Sequence, residues 1–176
     1  IIERITTSLA GILMPVYNNT HGNEGYVCAQ VNPAKPGNAE LMLAMARRFS
    51  KWSPNIAVKL PATAAGLEVM EECAAEGIPV TLTASFTVPQ ALAIGGGYKK
   101  GSERAGKAGI KPAKCFAVLM IGRLDDYLRD VAMDRRSGIA EEDIIQAGIA
   151  VAKRAYSIFN ERKYEAIIMP AGLRGS

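Results

Sequence analysis

Lys59 has the most unusual surroundings of any residue in this chain. It lies inside Ile56-Ala57-Val58-Lys59-Leu60-Pro61, a short apolar stretch with no other charge. A lysine at a strand end can run its stem along apolar neighbours and keep its ammonium in water. The other reading is an amine desolvated by those neighbours, which keeps a neutral fraction able to attack a carbonyl and form a Schiff base. Asp125 and Asp126 read either as paired acid/base carboxylates or as a helix start, where carboxylates favour exposed N–H groups. His21 is the only histidine and falls in a polar run, so a solvent-exposed imidazole is expected there. A single histidine leaves little material for a metal cluster or a His-centred triad, and no metal or organic cofactor is expected. Gly95-Gly96-Gly97 is followed by neither GxGxxG nor GK[ST] spacing, so it is no dinucleotide or phosphate loop.

The elements that must position these residues alternate along the chain. Residues 5–16 have apolar spacing of helical period, and a polar loop follows through Asn23. Residues 26–31 are short, apolar and partly β-branched, a strand that Asn32-Pro33 ends. A helix is expected from about Pro36 to Trp52, then a strand at 56–60 that Pro61 stops. Thr63 caps a helix through Glu76, with Gly77 at its end. Further strands are expected at 80–84, 115–121 and 166–169, with helices around 89–94 and over 141–160. Residues 95–114, rich in glycine and lysine, read as an exposed excursion.

Five short apolar strands separated by helices imply a parallel sheet covered by helices. A doubly wound sheet and a (β/α)8 barrel both fit that order. The chain has 176 residues, 49% apolar and 22% charged, which suits one globular domain and not a disordered chain. No apolar run approaches the roughly 18–20 residues of a membrane span. The net charge of +4 is mild. The cations of 99–114 read as a solvated surface, with an anion-attracting patch as the lesser reading and no aromatic interleaving for nucleic acid. Cys28, Cys73 and Cys115 stand far apart in apolar settings, which reads as buried free thiols in a reducing, cytoplasmic setting.

Val58-Lys59-Leu60-Pro61-Ala62-Thr63 with Gly66-Leu67, then Glu76-Gly77-Ile78-Pro79, resembles the transaldolase family. Thr81-Leu82-Thr83, Phe86, Gln90-Ala91 and Gly122-Arg123-Leu124-Asp125-Asp126 extend the resemblance in the family's order. Cys28-Ala29-Gln30-Val31 is similar to the fructose-6-phosphate aldolase branch, which carries a glutamine on its third strand. The resemblance implies a (β/α)8 TIM barrel of the class I aldolases, with Lys59 on its fourth strand as the Schiff-base lysine. Gln30 and Thr83 match positions that hold the catalytic water and assist proton transfer. Arg123 and Arg174 match the phosphate-binding positions, where two guanidinium forks clamp one phosphate.

Departures are equally specific. Val118 stands at the family's serine, Met120 at its aromatic or tyrosine, Thr81 at an asparagine and Gly172 at a serine. The strands read here correspond to three to seven of eight, so residues 1–176 are expected to be one barrel domain incomplete at both ends. The strand that carries the family's acid/base aspartate has no counterpart. The expected function is transfer or release of a dihydroxyacetone unit from a ketose phosphate through Lys59. The alternative, favoured by Val118 and Met120, is a non-catalytic sugar-phosphate-binding barrel. A polyanion partner of the 99–114 run is a third reading. The expected partners are a sugar phosphate and further copies of the chain, with neither nucleic acid nor membrane.

Overall fold

The computed structural model describes residues 1–173 of the chain. In chain order the elements are α1 (Ile2–Asn19), β1 (Val27–Gln30), α2 (Ala39–Phe49), β2 (Ile56–Pro61), α3 (Ala64–Ala75) and β3 (Val80–Thr83). There follow α4 (Val88–Lys107), β4 (Cys115–Leu119), α5 (Ile121–Asp134), α6 (Glu141–Glu161) and β5 (Ile167–Pro170). All strand pairs are parallel and the order is β1-β2-β3-β4-β5, so each strand lies beside its successor. Sequential parallel order around a curved sheet is the arrangement of part of a (β/α)8 barrel, and it excludes the order reversal of a doubly wound sheet.

The curvature can be read from side chains. Three strand spacings of ~4.8 Å would hold β1 and β4 ~14 Å apart in a flat sheet. Yet Tyr26, just before β1, meets Phe116 on β4 edge to face, with ring centroids 5.4 Å apart. Only a concave face brings them together. The opposite, convex face holds the core: Val58, Leu60, Val80, Leu82, Ala117 and Leu119 are fully buried beneath the helices.

Side-chain caps start α2, α3 and α4, the helices that follow β1, β2 and β3. The Asn38 side chain accepts from Leu41 N–H at 2.8 Å, and Thr63 accepts from Gly66 N–H at 3.1 Å. Thr87 and Gln90 form a reciprocal capping box at the start of α4. Buried Asn55 fastens α1 to the sheet by donating to Ala10 O and Gly25 O, each at 2.9 Å. α1 also leaves Ile2, Ile5, Leu9, Ile12 and Val16 exposed along one side.

Residues 95–107 are not an excursion. They are the second half of α4, and the glycines that suggested a loop are contact points. A Cβ on Gly101 would lie 2.5 Å from Glu71 O, and one on Gly97 would lie 2.7 Å from Met70. One on Gly95 would lie 2.4 Å from the Tyr164 ring. Small residues at Gly95, Gly101, Ser102 and Ala105 are buried, so α3 and α4 approach closely. Lys99, Lys100 and Lys107 stay exposed, and Arg104 pairs across to Glu72 at 2.6 Å. The strand expected at 115–121 ends at Leu119, because Ile121 already opens α5.

Candidate active site

Register places the sequence candidates on one face. Gln30 pairs laterally with Lys59, and Lys59 with Thr81. Lateral partners in a parallel sheet point to the same side, so these three form a row across β1, β2 and β3 on the concave face. Pro61 pairs with Thr83, which puts Thr83 one step further along β3 on that same face. Gln30 is exposed, Lys59 and Thr83 are half-buried, and Thr81 is 1% exposed. The row lies towards the carboxyl ends of the strands, where barrels of this architecture keep their chemistry.

Two sulfur contacts frame the row. The Cys28 thiol, reaching across Ala57 from β1, donates to Thr81 Oγ1 at 3.4 Å. The Thr83 hydroxyl donates to Met120 Sδ at 3.7 Å. Cys28 is therefore an exposed thiol on the concave face, contrary to the expectation of burial. The apolar run around it suggested a strand covered on both sides, but only its convex side is covered. Cys73 and Cys115 are buried as expected, and burial pushes the Cys73 thiol up to about 12 and that of Cys115 higher still.

Arg123 sits in the first turn of α5, directly after β4, with its side chain 66% exposed and 3.8 Å from Asp126. It therefore stands at the rim beside the row, with a loose ion pair and a guanidinium open to an anion. Gly122 fixes that rim. Its N–H donates to Ala171 O at 3.3 Å, and a Cβ there would overlap Gly172 O. Arg174 lies outside the described residues. Asp125 and Asp126 neither start the helix nor form a carboxylate pair for acid/base work. Asp125, one turn in and 4% exposed, accepts from Gly148 N–H at 2.9 Å and ties α5 to α6. Asp126 holds Arg129 at 3.3 Å.

A cleft of about 820 Å³ opens at the other end of the strands, lined by Tyr17, His21, Tyr26, Glu76, Lys111 and Lys114 among others. None of the candidate residues reaches it. Burial, with the Tyr17 ring beside it, pushes the Tyr26 phenol up to about 12. His21 is exposed, as expected. Among the described residues no three His, Cys, Asp or Glu side chains gather as metal ligands, and no helix is long and apolar enough to cross a membrane.

Sequence reading assigned no role at the site to Thr81, Met120 or Cys28: Thr81 stood in a motif and as a departure from it, Met120 as a departure, and Cys28 in a motif and as a buried thiol. Strand alternation was the available signal: Cys28 stands two residues before Gln30, Thr81 two before Thr83 and Met120 two after Val118. Residues at that spacing share a face.

The chain matches the Transaldolase/Fructose-6-phosphate aldolase family over residues 1–176. It is 33% identical over 162 residues to Transaldolase 1 of Streptomyces avermitilis, covering 86% of this chain and 41% of that protein. It is 32% identical over 161 residues to the transaldolase of Thiobacillus denitrificans, with 85% and 43% covered. Against the transaldolase of Mycobacterium tuberculosis the figures are 32% over 169 residues, with 91% and 45% covered. The chain thus spans less than half the length of these curated relatives.

Proposed function

The chain belongs to the Transaldolase/Fructose-6-phosphate aldolase family, and on that premise we propose that Lys59 forms a Schiff base with a ketose phosphate. One observation carries this reading: the lateral row Gln30–Lys59–Thr81 on the concave face, with Thr83 above it and Arg123 at its rim.

The neutral Lys59 amine adds to the C2 carbonyl, and the carbinolamine loses water to give an iminium. A base then takes the proton of the C4 hydroxyl. The C3–C4 bond breaks, its electron pair is drawn to the iminium nitrogen, and an aldose leaves. The enamine that remains attacks an acceptor aldehyde or takes a proton at C3, after which water frees the lysine. Gln30 and Thr83 are neutral, so they orient the water of these proton transfers without placing a further charge beside the iminium. Arg123, with Arg174, holds the substrate phosphate through charge-assisted bonds.

The same reading makes residues 1–176 a slice of one barrel whose further strands complete the site. Its support is the exposed apolar side of α1, together with Ile167 and Met169 of β5, whose exposures are 38% and 39% on the concave face. Sheet edges of this kind are covered or paired in stable folds.

Borohydride trapping with fructose 6-phosphate and, separately, dihydroxyacetone tests the proposal, with peptide mapping and Lys59→Ala as the control. An adduct confined to Lys59 and absent in the variant is the expected result. Reversible sugar-phosphate binding with no adduct would replace it with the non-catalytic barrel.

A further inference from the structure

We propose that two sulfur atoms, Cys28 Sγ and Met120 Sδ, give the two threonine hydroxyls of β3 opposite hydrogen-bonding roles beside Lys59. In this arrangement Thr81 is a donor and Thr83 an acceptor. The inference rests on Lys59 being the Schiff-base lysine, and it makes Cys28 and Met120 positioning residues.

Each sulfur limits the role left to its partner hydroxyl. A thioether has no proton to give. The 3.7 Å contact therefore turns the Thr83 O–H towards Met120, and the oxygen lone pairs are left for the pocket. The other pair is reversed. The Cys28 thiol donates to Thr81 Oγ1 at 3.4 Å, so an oxygen lone pair is occupied and the hydroxyl proton is left to give. Thr81 is 1% exposed and is the lateral partner of Lys59, so its proton is available on the lysine's own row. Thr83 lies one step further towards the carboxyl end of the strand, level with Pro61.

The two roles suit different steps. When the Lys59 amine adds to a carbonyl, the former carbonyl oxygen must take up protons and leave as water. A hydroxyl donor beside the lysine assists that departure. When the iminium becomes an enamine, a proton leaves the neighbouring carbon for a water and the C–H electron pair moves towards nitrogen. A hydroxyl acceptor orients that water. Sulfur hydrogen bonds are weak, so each pair is expected to act as a bias on hydroxyl rotation and each variant to give a modest, step-specific loss.

Dihydroxyacetone separates the steps in the full chain. The rate at which a borohydride-trapped mass appears on Lys59 reads imine formation, and deuterium uptake into the methylene groups in D2O reads the enamine step. Met120→Leu keeps the volume of the side chain while removing the acceptor. It and Thr83→Val are expected to form adduct at the parent rate and exchange about fivefold more slowly, a loss of the size of one hydrogen bond. Cys28→Ala and Thr81→Val are expected to slow adduct formation about fivefold. Thr81→Ser and Thr83→Ser, which keep the hydroxyls, should restore the parent's rates.

Met120→Leu exchanging at the parent rate overturns the inference, as do all four removals slowing both steps alike, the signature of disturbed packing. An adduct in the parent without any exchange overturns the role of Thr83. No adduct on Lys59 in the parent is a different failure, because it removes the Schiff-base reading and the inference with it.

Discussion

On the helix-covered face of the sheet, Val58, Leu60, Val80, Leu82 and Ala117 are wholly excluded from solvent. On the concave face the residues between them are Lys59, Thr81, Thr83 and Phe116, and only Thr81 among these is buried. Leu60 and Lys59 are neighbours in sequence yet serve different ends. Apolar burial on the convex side fixes strand positions to within a side chain's packing. That fixed backbone then holds two hydroxyls, a carboxamide and an amine together on the other side. Substitutions on the two faces should therefore register differently: convex positions in stability, concave positions in chemistry.

The largest contrast is among the cysteines, because Cys28 lies on the concave face while Cys73 and Cys115 are buried in the helix-covered core. With Cys73 pushed up to about 12, its thiolate fraction at pH 8 is about one in ten thousand even before access is considered. Cys115 is buried and higher still. The native chain should therefore show one thiol fast towards a disulfide reagent, Cys28, and all three after unfolding. A native chain in which Cys115 reacts as fast as Cys28 would break the two-sided reading. Next in size is Leu82→Ala, which empties a fully buried position and should cost about 3 kcal/mol by urea unfolding. Thr83→Val, its neighbour on the other face, should cost less than about 1 kcal/mol, the worth of one weak hydrogen bond.

How much of this was legible follows from the same two-sidedness. The strands were readable because helix-covered parallel strands are apolar almost throughout, and Lys59 stood out as the charge that breaks that rule. Cys28 was misjudged for the same reason, since an apolar run does not reveal that one of its faces is open. The second half of α4 was missed because its buried positions, Tyr98 apart, hold glycine, serine and alanine. Its spacing is helical, but residues without side-chain bulk carry no hydrophobic periodicity. For α5 only the start was hidden: Asp125-Asp126 read as a helix start, but the helix opens at Ile121, because the strand before it runs into Ile121 without a turn residue between. The Cys28–Thr81 contact depends on curvature, which brings β1 to β3 over small Ala57, and no local pattern encodes that.

Within α4 the glycines themselves supply a smaller contrast. Gly101→Ala would drive a methyl group into Glu71 O and Ala74 Cβ, and should destabilise by about 2 kcal/mol as α3 and α4 are forced apart. Gly106 lies on the same helix with nothing within 4 Å. Gly106→Ala should instead stabilise by about 0.5–1 kcal/mol through helix propensity. Opposite signs in chemical denaturation would establish tight packing of α3 on α4. Equal signs would return this stretch to the surface excursion that its composition suggested.

The smallest effect concerns the lower end of the concave face, where Tyr26 bridges Tyr17 and Phe116. Its phenol is raised to about 12 chiefly by burial, so the folded state favours the protonated form. A group whose folded value lies above its unfolded value contributes its full stabilisation below the unfolded value, near 10 for tyrosine, and loses it as pH rises through the folded one. Stability should therefore fall between pH 10 and 12, and tyrosinate absorbance should show a late step in the same window. Tyr26→Phe keeps the ring between Tyr17 and Phe116 while giving up the 2.8 Å bond from the hydroxyl to Gly22 O. It should remove the late step and flatten the alkaline decline, at the expense of a slightly lower plateau near neutrality. Persistence of the step in that variant would assign it to another phenol, Tyr98 first, since burial raises that one as well. The contact of Tyr26 with Tyr17 and Phe116 would then be ring packing alone.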